Sequence, residues 1–483
     1  MSRPAERPDD PMPPAEPAAA DLRPLFDRLR AAQHGHVTTL AERRERLARL
    51  DKAVVRYRED IVQAISADFG RRSRVETLAA DVMTVLGEIR HCRRHLRAWI
   101  RPERRGVNWP FLPARGEVRV QPLGVVGVVA PWNYPFQLAV LPLVNAIAAG
   151  NRVMVKPSEF TPRLADVLTR LLADVFTADE VVVVQGGSEV GAAFSSLPFD
   201  HLLFTGSTAV GRHVMAAAAR NLTPVTLELG GKSPVLIAPG YPIEHAAERV
   251  AWGKCFNAGQ TCVAPDYVLV PRAQRDEFVR AYMASLKRRF PTLARNPDYT
   301  AIVNVRQADR LREWLDDARE RKVTVVQHRP DTDAAPPGVE LVPPTVLLDP
   351  PDDARVMREE IFGPLLPVKS YDSFDEAIAY VLGRDRPLAF YPFDRDSARL
   401  EDTLGRVVAG TVCINDTVIQ FGQDQLPIGG VGASGMGVYH GREGFLTFSK
   451  RTSVFRQSRL NGMKLFDSPY SNFARKLVEF LSR

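Results

Sequence analysis

Along the first half of the chain, short apolar runs alternate with amphipathic stretches, and turn residues separate them. Val125, Val126, Val128 and Val129 form a β-branched run of strand length, which predicts a buried strand. An irregular turn over residues 131–135 follows, and then a buried helix over 136–149 that ends at Gly150. No charged residue occurs between Arg119 and Arg152, enough chain for a membrane span of about 20 residues. Pro131 and Pro135 interrupt that stretch in the middle, so it reads as strand, turn and helix instead.

The same grammar repeats downstream. Strands are predicted at 152–155, 180–184, 201–204 and 224–229, with helices at 162–176 and 208–220 and a further one after Ser188. Strands alternating with helices predict an α/β fold with a parallel, doubly wound sheet. In such sheets ligands lie beyond the carboxyl ends of the strands, where Asn133, Lys156, Ser188, Ser207 and Glu228 fall.

The 483 residues are enough for two to four domains at roughly 100–200 residues each, which rules out a peptide-sized module. With 45% hydrophobic and 25% charged residues, wholesale disorder and a polytopic membrane protein are excluded. The formal charge of +7 invites a nucleic-acid reading, but its placement answers against one. Between Glu88 and Arg119 there are nine arginines and three acids, which accounts for nearly the whole surplus. Arg90, Arg93, Arg94, Arg97 and Arg101 recur at helical spacing as one solvated or subunit-facing stripe, without interleaved aromatics or zinc-finger spacing. No nucleic-acid or membrane partner is expected. The four cysteines form no CxxC pair, which argues against disulfides and structural zinc, so no metal is expected and a reducing, cytoplasmic compartment is. Six prolines and no apolar stretch in the first twenty residues predict a disordered tail over 1–20 rather than a secretory signal.

The familiar nucleotide motifs are missing. Residues 206–211 have Walker-type glycine spacing, but Arg212 and His213 stand where Lys and Ser or Thr belong, and no GxGxxG follows a strand. Gly206-Ser207 at a helix start still offers free amides and a dipole to a pyrophosphate, unless Ser207 only caps the helix. Thr226-Leu227-Glu228-Leu229-Gly230-Gly231 sets a carboxylate at an apolar strand end, before two glycines that let a backbone or ligand approach. Asn257-Ala258-Gly259-Gln260-Thr261-Cys262 sets a thiol just past a helix. Each reads alone as a structural group. Together, beside a nucleotide-type sheet, they point to a nucleophile and a general base.

Glu228 in LELGG and Cys262 in GQTC, 34 residues apart, join PWNYPF (131–136), KPSE (156–159), FTGSTAVG (204–211) and EEIFGP (359–364) in a pattern that resembles the NAD(P)-dependent aldehyde dehydrogenase superfamily over about residues 25–460. GQTCVAPDY (259–267) and GGVGASGMGVYHGREGFLTFS (429–449) resemble its class 3 branch and, within it, the bacterial coniferyl aldehyde dehydrogenases. The resemblance implies that Cys262 attacks an aldehyde as a thiolate, activated by nearby helix dipoles and a base. It implies that the Asn133 amide and the Cys262 N–H hold the oxyanion, and that Glu228 activates water to hydrolyse the thioester. NAD is the implied cofactor, with NADP used as well by some class 3 relatives. Lys156 and Glu159 would hold the adenosine ribose, Ser207 the pyrophosphate, and Glu360 and Phe362 the nicotinamide ribose and ring. Trp132, Ser158, Gly187, Phe204, Gly206, Gly211, Leu229 and Gly230 complete the implied cofactor contacts.

Trp252 and Phe256 stand four residues apart and share a helical face, which either belongs to the ordinary core or walls a substrate slot. The resemblance places that face with Tyr134 and Ile419 around the substrate, implying an aromatic, coniferaldehyde-like, or medium-chain aldehyde. It also implies a Rossmann-type cofactor domain (21–112 and 123–229), an α/β catalytic domain (230–432) and a small β arm (113–122 and 447–465) that pairs a homodimer. A C-terminal amphipathic helix over 466–483 is expected to pack on the protein. Two alternatives stay open: a cysteine-dependent esterase or hydrolase, which needs a histidine beside Cys262, and a non-enzymatic scaffold.

Overall fold

The computed structural model describes residues 22–331 and 334–483, so the tail expected over 1–20 lies outside the described residues. The predicted strand and helix grammar forms a six-stranded sheet. Its order is Gly435–Met436, Val225–Glu228, His201–Thr205, Val125–Val129, Arg152–Lys156, Val181–Val183. All neighbours are parallel except Gly435–Met436, a distant strand that caps the edge antiparallel to Val225–Glu228. Alternation along the strands sends Val126, Val128, Val153, Val155 and Leu203 into one apolar layer and Val125, Met154, Leu202 and Phe204 into the opposite one. The charge-free stretch explains itself here. The helix Gln137–Ala149 is buried at every position and stops at Gly150, whose φ of 97° is left-handed.

Val125–Val129 is flanked by Arg152–Lys156 on one side and His201–Thr205 on the other, so the chain winds away from it in both directions. That switch opens a crevice at the carboxyl ends of these strands. A second, seven-stranded sheet covers it, ordered Thr324–Gln327, Thr345–Leu348, Leu365–Tyr371, Tyr267–Pro271, Pro234–Ile237, Ala389–Phe393, Thr411–Val412. Arg115–Pro122 pairs with Glu103–Arg105 on one side and, over eight residues, with Ser449–Arg456 on the other, in a separate antiparallel sheet.

Several local expectations shift. The helix expected over 162–176 stops at Ala173, with Asp174 as its cap. The C-terminal residues are helical over Asn472–Leu481, but only Ala474 is buried there, and Phe473, Val478 and Phe480 face outward. Among the described residues only Ala474 of that helix is covered, so its larger apolar side chains do not show the expected packing.

One buried carboxyl joins the segments around the crevice. Glu88 Oε1 accepts hydrogen bonds from the Gly441 N–H at 2.9 Å and the Cys92 thiol at 3.4 Å, while Oε2 has no partner. Burial pushes the Glu88 carboxyl up to about 7. The folded state then binds a proton that the unfolded chain releases near its ordinary value. The stability this contributes is complete in acid and disappears as pH rises from about 4.5 through about 7. Glu88→Gln is expected to be free of that loss, so its advantage over wild type in urea unfolding should grow by about 3 kcal/mol between acidic and mildly alkaline pH. A difference that stays constant with pH would contradict it.

Candidate active site

The crevice ends in a cavity of about 220 Å³. Its lining joins Trp132 and Asn133 from the turn after Val125–Val129, Thr205, Gly206 and Ser207 from the end of His201–Thr205, and Glu228, Leu229 and Gly230 from the end of Val225–Glu228. Cys262, Glu360 and Phe362 come from the covering sheet's side.

Cys262 is delivered by an unusual turn. The helix Ile243–Cys255 ends, and Asn257, Ala258 and Gly259 follow with φ of 51°, 51° and 75°. Three successive left-handed residues cost energy unless their surroundings hold them. Asn257 does part of this, donating its amide to Asn133 O at 3.1 Å and Gln260 O at 3.0 Å. Gln260 does the rest, with Nε2 on Asn257 O and Ala301 O, and Oε1 accepting the Val303 N–H, each at 3.0 Å. The Asn133 amide donates to Gln260 O at 3.2 Å, which uses one of its two N–H groups and leaves the other for a ligand.

The electrostatics correct one expectation. Burial, with Glu360 and Glu228 adding negative charge, pushes the Cys262 thiol up to about 12, even though the Cys262 and Val263 amides favour the thiolate. Desolvation is the largest of these effects and outweighs the two amides. Burial alone raises Glu228 well above the usual carboxylate range, and its Oε1 has no partner. Glu360 is pushed to about 8 by burial and by nearby Asp266, against a hydrogen bond from the Gly231 amide. Gly230 is required for that carboxyl, because a Cβ there would stand 1.9 Å from Glu360 Oε2. The approach expected at the paired glycines is made by a side chain of the same protein.

Of the other sequence-derived positions, Ser207 caps the helix Thr208–Ala219, accepting the Val210 N–H at 3.4 Å, and lines the cavity as well. Trp132 meets Phe362 edge to face at 5.3 Å. Lys156 is buried and reaches Glu159 at 3.3 Å at the end of the neighbouring strand; with Ser158 and Gly187 it lies outside the cavity itself. Phe204 stands beneath Gly206, and Gly211 lets Leu229 pack 2.6 Å from where its Cβ would be.

The four substrate-slot positions do not line this cavity. Tyr134 is buried behind it, with its hydroxyl 2.6 Å from Thr261 Oγ1 and its ring stacked on Phe256 at 6.4 Å. Trp252 lies 5.4 Å beyond Phe256, and Ile419 is 45% exposed. The apolar wall is instead Leu138, Leu388, Phe421 and Tyr439, with Gln307 and Arg310 at the rim, none of them singled out from sequence. Phe421 and Tyr439 belong to the segment after Cys413, where only the motif around 429–449 gave a signal.

The model of the aldehyde dehydrogenase family matches residues 16–454. This chain belongs to that family. It is an aldehyde dehydrogenase, an oxidoreductase of α/β fold. It is 50% identical over 458 residues to a probable coniferyl aldehyde dehydrogenase of Pseudomonas aeruginosa, covering 95% of each chain. Among solved structures, the substrate-bound state of a Staphylococcus aureus AldH has a TM-score of 0.89 at 36% identity, with 96% of this chain and 99% of that one covered. A Mycobacterium tuberculosis aldehyde dehydrogenase complexed with NAD+ has a TM-score of 0.82 at 29% identity, covering 91% and 90%.

The aldehyde dehydrogenase cavity also weighs against the hydrolase alternative, since no histidine lines it among the described residues. Among those residues no helix is long and apolar enough to cross a membrane.

Proposed function

We propose that this aldehyde dehydrogenase oxidises an aromatic, coniferaldehyde-like aldehyde to its acid, with Cys262 as nucleophile, Asn133 as oxyanion donor and Glu228 as the base for hydrolysis. The observation that carries the reading is the convergence of Cys262, Glu228 and Asn133 on one cavity that Leu138, Leu388, Phe421 and Tyr439 also line. The Cys262 thiol gives its proton to solvent as Sγ bonds to the carbonyl carbon and the C=O π bond opens, and the free N–H of Asn133 meets the oxygen on which charge develops. Glu228, buried with an unpartnered oxygen, takes a proton from water as that water attacks the thioester and releases Cys262.

The cofactor fits this chain. Thr205, Gly206 and Ser207 form an anion-accepting helix start, and Gly230 lets the Glu360 carboxyl reach the cavity. NAD supplies the hydride acceptor when bound. Glu159, partly exposed and paired with Lys156, would accept hydrogen bonds from a ribose 2′-hydroxyl and repel a 2′-phosphate, so NAD is preferred over NADP.

Phe421 and Tyr439 supply ring faces and edges suited to a flat substrate, and the name of the Pseudomonas relative points the same way. A panel of aldehydes assayed with saturating NAD tests this. kcat/KM for coniferaldehyde is expected to exceed that for acetaldehyde by at least about 100-fold, the contribution of a buried aromatic ring at roughly 3 kcal/mol. Equal values would sink the substrate assignment.

The same reading takes the chain as a cytoplasmic homodimer, paired through residues 113–122 and 447–465. The edge strand Ser449–Arg456 supports it, together with Trp109, Phe111 and Phe455 exposed on that arm. Light scattering at twice the chain mass is the expected result.

A further inference from the structure

Four residues past Cys262, Asp266 is buried at 3% exposure, and its two oxygens serve different segments. Oδ2 accepts the Ile361 N–H at 2.9 Å, and Oδ1 pairs with the Lys232 ammonium. Lys232 itself donates to Val356 O at 2.7 Å and Glu359 O at 2.9 Å. On the other side Arg310, 4.6 Å over the Trp314 ring, donates to Ile361 O at 2.8 Å. Ile361 is therefore held at both its N–H and its C=O. The residue before it, Glu360, sends its carboxyl beneath Gly230, and the residue after it, Phe362, takes a left-handed φ of 49° that requires external support.

We propose that Asp266 is a positioning residue for the cofactor, fixing the Glu360–Phe362 turn to the segment that carries Cys262 through Lys232 and the Ile361 amide. The proposal rests on the reading of Glu360 as a cofactor contact and deepens it. Asp266 shares a short stretch of backbone with the nucleophile, so one buried carboxylate sets the spacing between the reacting sulfur and the cofactor-facing turn. A carboxylate suits this better than an amide. It accepts from two donors at once, one of them charged, in a place where a lost partner is expensive.

Asp266→Asn keeps the shape and removes the charge facing Lys232. The expected Kd for NAD, read by quenching of tryptophan fluorescence, rises about tenfold, the size of one lost charge-assisted hydrogen bond. Amide hydrogen exchange in peptides covering 356–364 speeds up, while alkylation of Cys262 by iodoacetamide without NAD keeps the wild-type rate. Lys232→Gln breaks the pair from its other end and gives the same pattern, which keeps the test available if the first variant does not fold. Wild-type exchange and NAD affinity in either folded variant overturn the proposal. Slowed alkylation with unchanged NAD affinity also overturns it, because Asp266 would then act on the nucleophile alone. Glu360→Gln separates the two readings: unchanged NAD affinity there sinks the cofactor role of Glu360, whatever the exchange data show for Asp266.

Discussion

Cys262→Ser lowers NAD-dependent aldehyde oxidation by at least about 1000-fold, measured as NADH absorbance with saturating aldehyde, while leaving the protein folded and able to bind NAD. The size follows from the chemistry of the group. A serine hydroxyl is a far poorer nucleophile than a thiolate, and among the described residues no histidine lines the cavity to activate one. The thiol also carries a pH signature. Because burial and the two carboxylates push Cys262 up to about 12, its thiolate fraction keeps growing well beyond the range where an ordinary thiol has finished ionising. Alkylation of the cofactor-free enzyme by iodoacetamide is therefore expected to keep rising with pH through the alkaline range. A plateau near the ordinary thiol value would show that Sγ does not sit in the apolar, anionic surroundings described. Full oxidation by Cys262→Ser would remove the mechanism.

Glu228→Gln is expected to cost about 100- to 10,000-fold in steady-state turnover, the range for a lost general base. The loss falls on thioester hydrolysis, so a single-turnover burst of NADH should survive and then stall, with acyl-enzyme visible by intact mass. The pH dependence has a definite sign. The base works only when deprotonated, and burial raises Glu228 well above the usual carboxylate range. Wild-type hydrolysis then climbs with pH past the point where a solvent-exposed glutamate would have levelled off, and the variant lacks that limb. Loss of the burst together with turnover would instead place Glu228 in the attack step.

How far the site could be read in advance depended on what each residue type signals locally. Cys262, Glu228, Asn133 and Ser207 stand at strand ends or a helix start, in short segments whose glycines and prolines mark the turn chemistry. Phe421 and Leu388 carry no such mark. Each is an apolar residue in a stretch without helical or strand periodicity, and nothing nearby in sequence distinguishes a cavity wall from core. The Trp252–Phe256 pair shows the reverse. Its spacing suggests a shared helical face, and the two rings stand 5.4 Å apart, but neither lines the cavity.

By itself, the sequence determined the alternation of strands and helices, the parallel sheet and which polar residues stand at the turns. These follow from side-chain periods of two and 3.6 and from residue chemistry, which act over a few neighbours. Only the tertiary structure decided which distant segments close the cavity, which oxygens are left without partners and how strongly the thiol and the carboxyls are perturbed. Desolvation and charge act through space, on groups that stand together only after residues 133, 228, 262 and 360 have been brought to one crevice.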